Sequence, residues 1–145
     1  VHDEGAAMLG GISGHAGLFS NSYEVAIVLQ AMIQKGKYDD FKLFSQDSFD
    51  LFNFCYFCDK ENRSGVGFDK PQIEGRHGST FGGVSSESFG HYGYTGSMAW
   101  ADPDKNIIFI FLSNRTYPTR ENTLLQTSNT RTRSQEIVYK SLIDN

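Results

Sequence analysis

The sequence predicts an α+β chain in which an antiparallel sheet is flanked by helices. Three observations carry this expectation. Val25, Val28, Leu29, Met32 and Ile33 recur at helical spacing. Ile107 to Leu112 is an unbroken apolar strand, joined as a hairpin to Met98–Ala101 by the turn Asp102-Pro103-Asp104-Lys105-Asn106. A last helical stretch, Arg131 to Ile143, carries Ile137, Val138, Leu142 and Ile143 as its apolar positions.

Taken in order, residues 1–19 are Gly-rich and read as irregular. Asn21 and Glu24 stand at N-cap and N3 spacing, and Gly36 follows Lys35, so a helix is expected at about 22–35. Ser45 is positioned to cap a second helix at about 46–54, with Phe49 and Phe52 on one face. Ser64 to Phe68 alternates small and apolar residues and reads as a strand. The stretch 69–87 gives no pattern. Phe89 to Tyr94 is a short strand of aromatics between glycines, and 113–130 is a long polar connection.

A fully apolar strand such as Ile107–Leu112 is covered on both faces. The C-terminal helix can cover one. For the other, a segment outside these residues is favoured over the helix at 22–35.

Composition narrows the function. The chain has 145 residues, 39% hydrophobic and 21% charged, which is globular rather than disordered. Its net charge of −4 argues against nucleic-acid binding. No apolar run reaches the ~18 residues of a membrane span. The chain opens Val1-His2-Asp3-Glu4 with neither an initiator Met nor a secretory leader, so it reads as a piece of a longer protein.

Three segments carry chemistry by their order. They are Gly14-His15-Ala16-Gly17-Leu18-Phe19-Ser20 before the first capped helix, Gly90-His91-Tyr92-Gly93-Tyr94-Thr95-Gly96 before the hairpin, and Ser113-Asn114-Arg115-Thr116-Tyr117-Pro118 after the apolar strand. Together they resemble the C-terminal half of the serine β-lactamase-like family, which includes class C β-lactamases, penicillin-binding proteins, D-aminopeptidases and esterases. The resemblance implies that 1–145 is the C-terminal part of one β-lactamase/transpeptidase-like domain. Its helical segment would span about 20–58, its strands about 64–68 and 89–113, and its last helix about 131–143. It implies acyl transfer through a serine ester, with no cofactor and no metal.

That chemistry needs a Ser-x-x-Lys nucleophile and base, a Tyr-x-Asn or Ser-x-Asn, and a Lys-Thr-Gly or His-x-Gly. Only the last occurs here, as His91-Tyr92-Gly93. The resemblance makes the Tyr94 N–H an oxyanion donor and His91 the counterpart of the usual Lys. Tyr92 and Gly93 then take substrate-binding positions, and Gly93 lets substrate lie against the strand. A lone His in an aromatic strand would read as packed and inert; within this motif it reads as a site residue. His can be neutral or charged near neutral pH, unlike Lys, which points toward ester or D-peptide substrates rather than potent β-lactam hydrolysis. His15 is a candidate cleft contact. Arg115 is a candidate for pairing a substrate carboxylate, or else a solvated side chain.

Cys55-x-x-Cys58 closes a Phe-rich helix, and buried packing thiols are expected over a disulfide or a metal or redox site. His77 stands isolated, and His2-Asp3-Glu4 reads as surface. Two functions follow. One, implied by the resemblance, is part of a serine hydrolase whose other half brings the nucleophile, acting on small D-amino-acid or peptidoglycan-derived substrates in the bacterial cell envelope. The other is a non-catalytic binding or structural module. His2 to Phe19 looks most like the module fused behind a family 3 glycoside hydrolase in Bacteroidetes.

Overall fold

The computed structural model describes residues 1–60, 62–71 and 80–143. His77 and the rest of 72–79, part of the unassigned 69–87 stretch, lie outside them.

The first element corrects an expectation. Residues 1–19 contain a helix, α1 (Glu4–Met8), because the Asp3 carboxylate caps it by accepting from the Ala6 N–H at 2.8 Å. Gly10 and Gly11, both at positive φ, end it. Helix α2 (Ser22–Ile33) starts as expected: Asn21 Oδ1 accepts from the Glu24 N–H at 3.0 Å. It closes through the Gly36 N–H on the Ala31 carbonyl at 2.8 Å. Gly36 has φ +97°, and a Cβ there would run into the Phe44 carbonyl.

A tight hairpin, β1 (Lys37–Tyr38) and β2 (Phe41–Lys42), follows. Two-residue strands are too short to show an alternation, so periodicity carries no sign of it. Helix α3 (Gln46–Asn53) is capped by Ser45, whose Oγ accepts from the Ser48 N–H at 3.1 Å. Beyond it the cysteine expectation fails: Cys55 and Cys58 form a disulfide in an exposed turn. The chain turns outward at Phe54, whose backbone is extended, so the thiols never reach the core and meet each other instead. The strand expected at 64–68 is also not formed. The segment folds back on itself, with Gly65 N–H on the Phe68 carbonyl at 2.8 Å, and pairs only through bridges from Asp69 to Ser64 and to Gly90.

The main sheet is antiparallel, in the order β3 (Phe89–Tyr92), β4 (Met98–Asp102), β5 (Ile107–Phe111). Register divides its side chains between two faces. The rows Phe89–Ala101–Ile108 and His91–Ala99–Ile110 share one face. On that face Phe89 and Ala101 pack with Leu29 of α2 and Phe49 of α3. The rows Gly90–Trp100–Phe109 and Tyr92–Met98–Phe111 share the other, where Val138 packs on Met98, Trp100 and Phe109. That valine belongs to α5 (Thr130–Ile143), and a short α4 (Leu124–Thr127) breaks the connection before it. The apolar β5 is therefore covered by α2 and α5, both within the chain. This corrects the favoured expectation of an outside segment. No described helix is long and apolar enough to cross a membrane.

Candidate functional site

The site is built around the β3–β4 turn. The Gly93 N–H bonds the Ser97 carbonyl at 2.8 Å, and the Gly96 N–H bonds the Gly93 carbonyl at 2.9 Å. Gly96 has φ +96°, and its missing Cβ would collide with Leu125 and the Ser113 hydroxyl. Glycine is thus required at 96 by the fold. Gly93 differs. A Cβ there would meet nothing closer than Thr95 Oγ1 at 3.7 Å, an ordinary contact. Nothing among the described residues demands glycine at 93, which is exposed. The Tyr94 N–H makes none of the backbone bonds that close the turn.

Gly93, Tyr94 and Thr95 line one side of a cleft of about 660 Å³. The facing wall comes from α1 and the loop after it, and includes Asp3, Glu4 and His15. The His15 Nε2 stands 3.4 Å from Asp3 Oδ1, beside Gly5. Arg120 completes the cleft, so acidic and basic groups both face it. The His2-Asp3-Glu4 run, read as surface, is exposed in part and also lines this cleft. The asset that reading lacked was α1, which turns the three residues toward the Gly93 turn.

His91 projects from β3 on the α2 face and is exposed. Its Nδ1 lies 2.8 Å from the Tyr92 carbonyl. A carbonyl only accepts, so Nδ1 donates in this contact and Nε2 is the ring nitrogen left out of it. Tyr92 points to the opposite face and stacks on Trp100 at 6.0 Å. Neither His91 nor Tyr92 belongs to the cleft lining with Gly93, Tyr94 and His15.

Arg115 sits behind the turn. Its guanidinium lies 4.6 Å from the Tyr94 ring centre, and its Nε donates to the Tyr94 carbonyl at 2.8 Å. Its Nη1 donates to the carbonyls of Arg120 and Asn122 at 3.0 and 3.1 Å. These donors bind backbone in this structure rather than facing the cleft.

A second cavity, about 770 Å³, is lined by both cysteines, Lys70 and Glu87 and contains none of the three motif segments. Burial holds the Lys70 ammonium below its usual value, partly offset by Glu87. Among the described residues no cluster of His, Cys, Asp and Glu could hold a metal.

A helix-covered antiparallel sheet of this kind is the architecture of a β-lactamase/transpeptidase-like fold. The chain belongs to the β-lactamase family, whose profile matches residues 1–130. It is 38% identical over 120 residues to an Escherichia coli O157:H7 protein described as "Putative D-alanyl-D-alanine carboxypeptidase", covering 79% of this chain and 26% of that one. A Salmonella enteritidis protein of the same description is 35% identical over 119 residues, again covering 79% and 26%. The chain thus spans about a quarter of the length of these relatives. A crystal structure described as a β-lactamase from Mycobacterium bovis superposes with a TM-score of 0.64 at 16% identity, over 85% of this chain and 44% of that one. At that identity the likeness concerns the fold.

Proposed function

We propose that these residues supply the third-motif part of a serine acyl-transfer site, as the C-terminal part of one β-lactamase-like domain. The nucleophile, its base and the second motif come from outside these 145 residues, which contain no Ser-x-x-Lys. The observation that carries the reading is the pairing of a Tyr94 N–H that bonds none of the described residues with an exposed Gly93 on the wall of a mixed-charge cleft. A donor left free where charge develops is what an oxyanion site needs, and such a donor lowers the barrier by about 2.7–4 kcal/mol.

His91, with Nε2 left out of its backbone contact, takes the electrostatic or proton-transfer position. His15 faces the substrate across the cleft. The substrate class is D-amino-acid or peptidoglycan-derived material, processed as an ester or D-peptide in the bacterial cell envelope. The names of the carboxypeptidase relatives support this class. Fusion behind a family 3 glycoside hydrolase is part of the same proposal and rests on His2 to Phe19 alone.

The test compares two proteins. The 145-residue chain is expected to show no covalent labelling by penicillin or a fluorophosphonate, and a complete protein carrying Ser-x-x-Lys is expected to label at that serine. In the complete protein His91→Ala should cut acyl transfer by about 10²-fold. Near-normal turnover would return His91 to packing. A complete protein without Ser-x-x-Lys would establish the second reading, a non-catalytic binding module.

A further inference from the structure

We infer that Arg131 is a positioning residue for the Tyr94 N–H, acting with Arg115 as one half of a two-sided clamp on the β3–β4 turn. This rests on the proposed oxyanion role of Tyr94.

A turn bounded by Gly93 and Gly96 is intrinsically mobile, because glycine restricts the backbone least. A donor to an oxyanion must nevertheless be held to within a fraction of an ångström. The structure resolves the conflict by tying down each carbonyl of the turn. The Gly93 carbonyl accepts from the Gly96 N–H at 2.9 Å. The Tyr94 carbonyl accepts from Arg115 Nε at 2.8 Å. The Thr95 carbonyl accepts from the Arg115 N–H at 2.8 Å and from the Ser113 hydroxyl at 3.2 Å. The Gly96 carbonyl accepts from Arg131 Nη1 at 3.2 Å.

The same two arginines also hold the rings on either side of Gly93. Arg131 lies 5.2 Å from the Tyr92 ring centre, and Arg115 lies 4.6 Å from that of Tyr94. Tyr92 and Tyr94 flank the glycine in sequence, so the Gly93–Tyr94 peptide is braced from both ends while its N–H stays uncommitted. Arg131 belongs to the first turn of α5, the helix that packs Val138 against the sheet. The clamp therefore links the docking of α5 to the placement of the donor.

The test uses the complete protein with its Ser-x-x-Lys serine. Kinetics of p-nitrophenyl acetate hydrolysis and inhibition by phenylboronic acid, a tetrahedral mimic, are measured for Arg131→Met, Arg131→Lys and His91→Ala. Arg131→Met is expected to lower kcat about tenfold and to weaken phenylboronic acid by a similar factor, with KM within about twofold. Arg131→Lys keeps a cation and a donor, and is expected to recover kcat to within about threefold of the parent. Unchanged kcat and boronate inhibition in Arg131→Met would overturn the clamp, as would a raised KM at unchanged kcat. If Arg131→Met fails to fold, Arg131→Gln decides: a kcat loss of about threefold or more at constant KM supports the clamp, and an unchanged kcat overturns it. His91→Ala separates the two ideas. Loss there with a normal Arg131→Met sinks the clamp alone, normal rates in both sink the clamp and the role of His91 together, and a complete protein that neither turns over the ester nor labels at its Ser-x-x-Lys serine sinks the acyl-transfer reading itself.

Discussion

The Tyr139 hydroxyl donates to Asp102 Oδ2 at 3.1 Å, joining α5 to the end of β4 in the interior. Asp102 is 0% exposed, and its two oxygens also accept from the Ser85 N–H, the Ser85 hydroxyl and the Lys105 N–H. A buried carboxylate tolerates desolvation only when it is hydrogen-bonded in this way. Tyr139→Phe removes one donor and should cost about 1–3 kcal/mol in urea unfolding. Asp102→Ala leaves the donors without their acceptor and should cost more than Tyr139→Phe.

The same pair sets a pH dependence. Burial first, then the Asp102 charge and hydrogen bond, hold the Tyr139 phenol well above its ordinary value of 10.0. The folded chain therefore keeps the phenolic proton where the unfolded chain loses it. This contribution is complete below about pH 10 and shrinks as pH rises further. Unfolding measured at pH 9 and pH 11 should show a steeper loss for the parent than for Tyr139→Phe. Equal losses would count against the Asp102–Tyr139 contact.

Glycine substitutions should sort by the space they meet. Gly67 and Gly96 both sit at positive φ, but only Gly96 would drive a Cβ into Leu125 and Ser113. Gly67→Ala should cost about 1 kcal/mol of backbone strain. Gly96→Ala should cost clearly more, by denaturant midpoint. Gly93→Ala should leave stability within about 0.5 kcal/mol. Its effect should fall on acyl transfer in the complete protein, so a wild-type rate there would count against substrate lying on that strand.

The Cys55–Cys58 bridge closes a loop with a sequence separation of only 3. Loop-closure entropy for so short a span gives at most about 2 kcal/mol. The double change Cys55→Ser with Cys58→Ser should lower stability by no more than that. Thiol titration of the unreduced chain should find none, and two after reduction.

The sequence was most legible where local chemistry and burial agreed. Asn21 and Glu24 announced α2 through their cap spacing, and the Asp102–Asn106 turn announced the β4–β5 hairpin. Both signals are set by neighbours in the chain. Helix α1 was hidden because its few residues lie among glycines, and its cap, Asp3, looked like part of a charged surface run. The disulfide was hidden by the phenylalanines around it, which suggested a core that the outward turn at Phe54 does not enter. Coverage of β5 by α2 was a matter of tertiary packing, which periodicity in either segment alone cannot fix. In the site, His15, Gly93 and Tyr94 were legible from their motifs, and the structure brings them to one cleft. Arg131 carried no local signal: its partners, Tyr92 and Gly96, lie far back along the chain.

The alternation of β3 has a consequence for how such a strand can vary. His91 and Tyr92 are neighbours in sequence but inhabit opposite sides of the sheet, one toward α2 and the other toward Trp100 and Arg131. With Phe89 held in register, deleting Gly90 or inserting a single residue between Phe89 and His91 would exchange them, placing an imidazole on the indole's face and a phenol on the face the imidazole had held. Substitutions along this strand can be graded one at a time, but a change in its length cannot be; parity makes the strand's residue count as much a part of its chemistry as any side chain it carries.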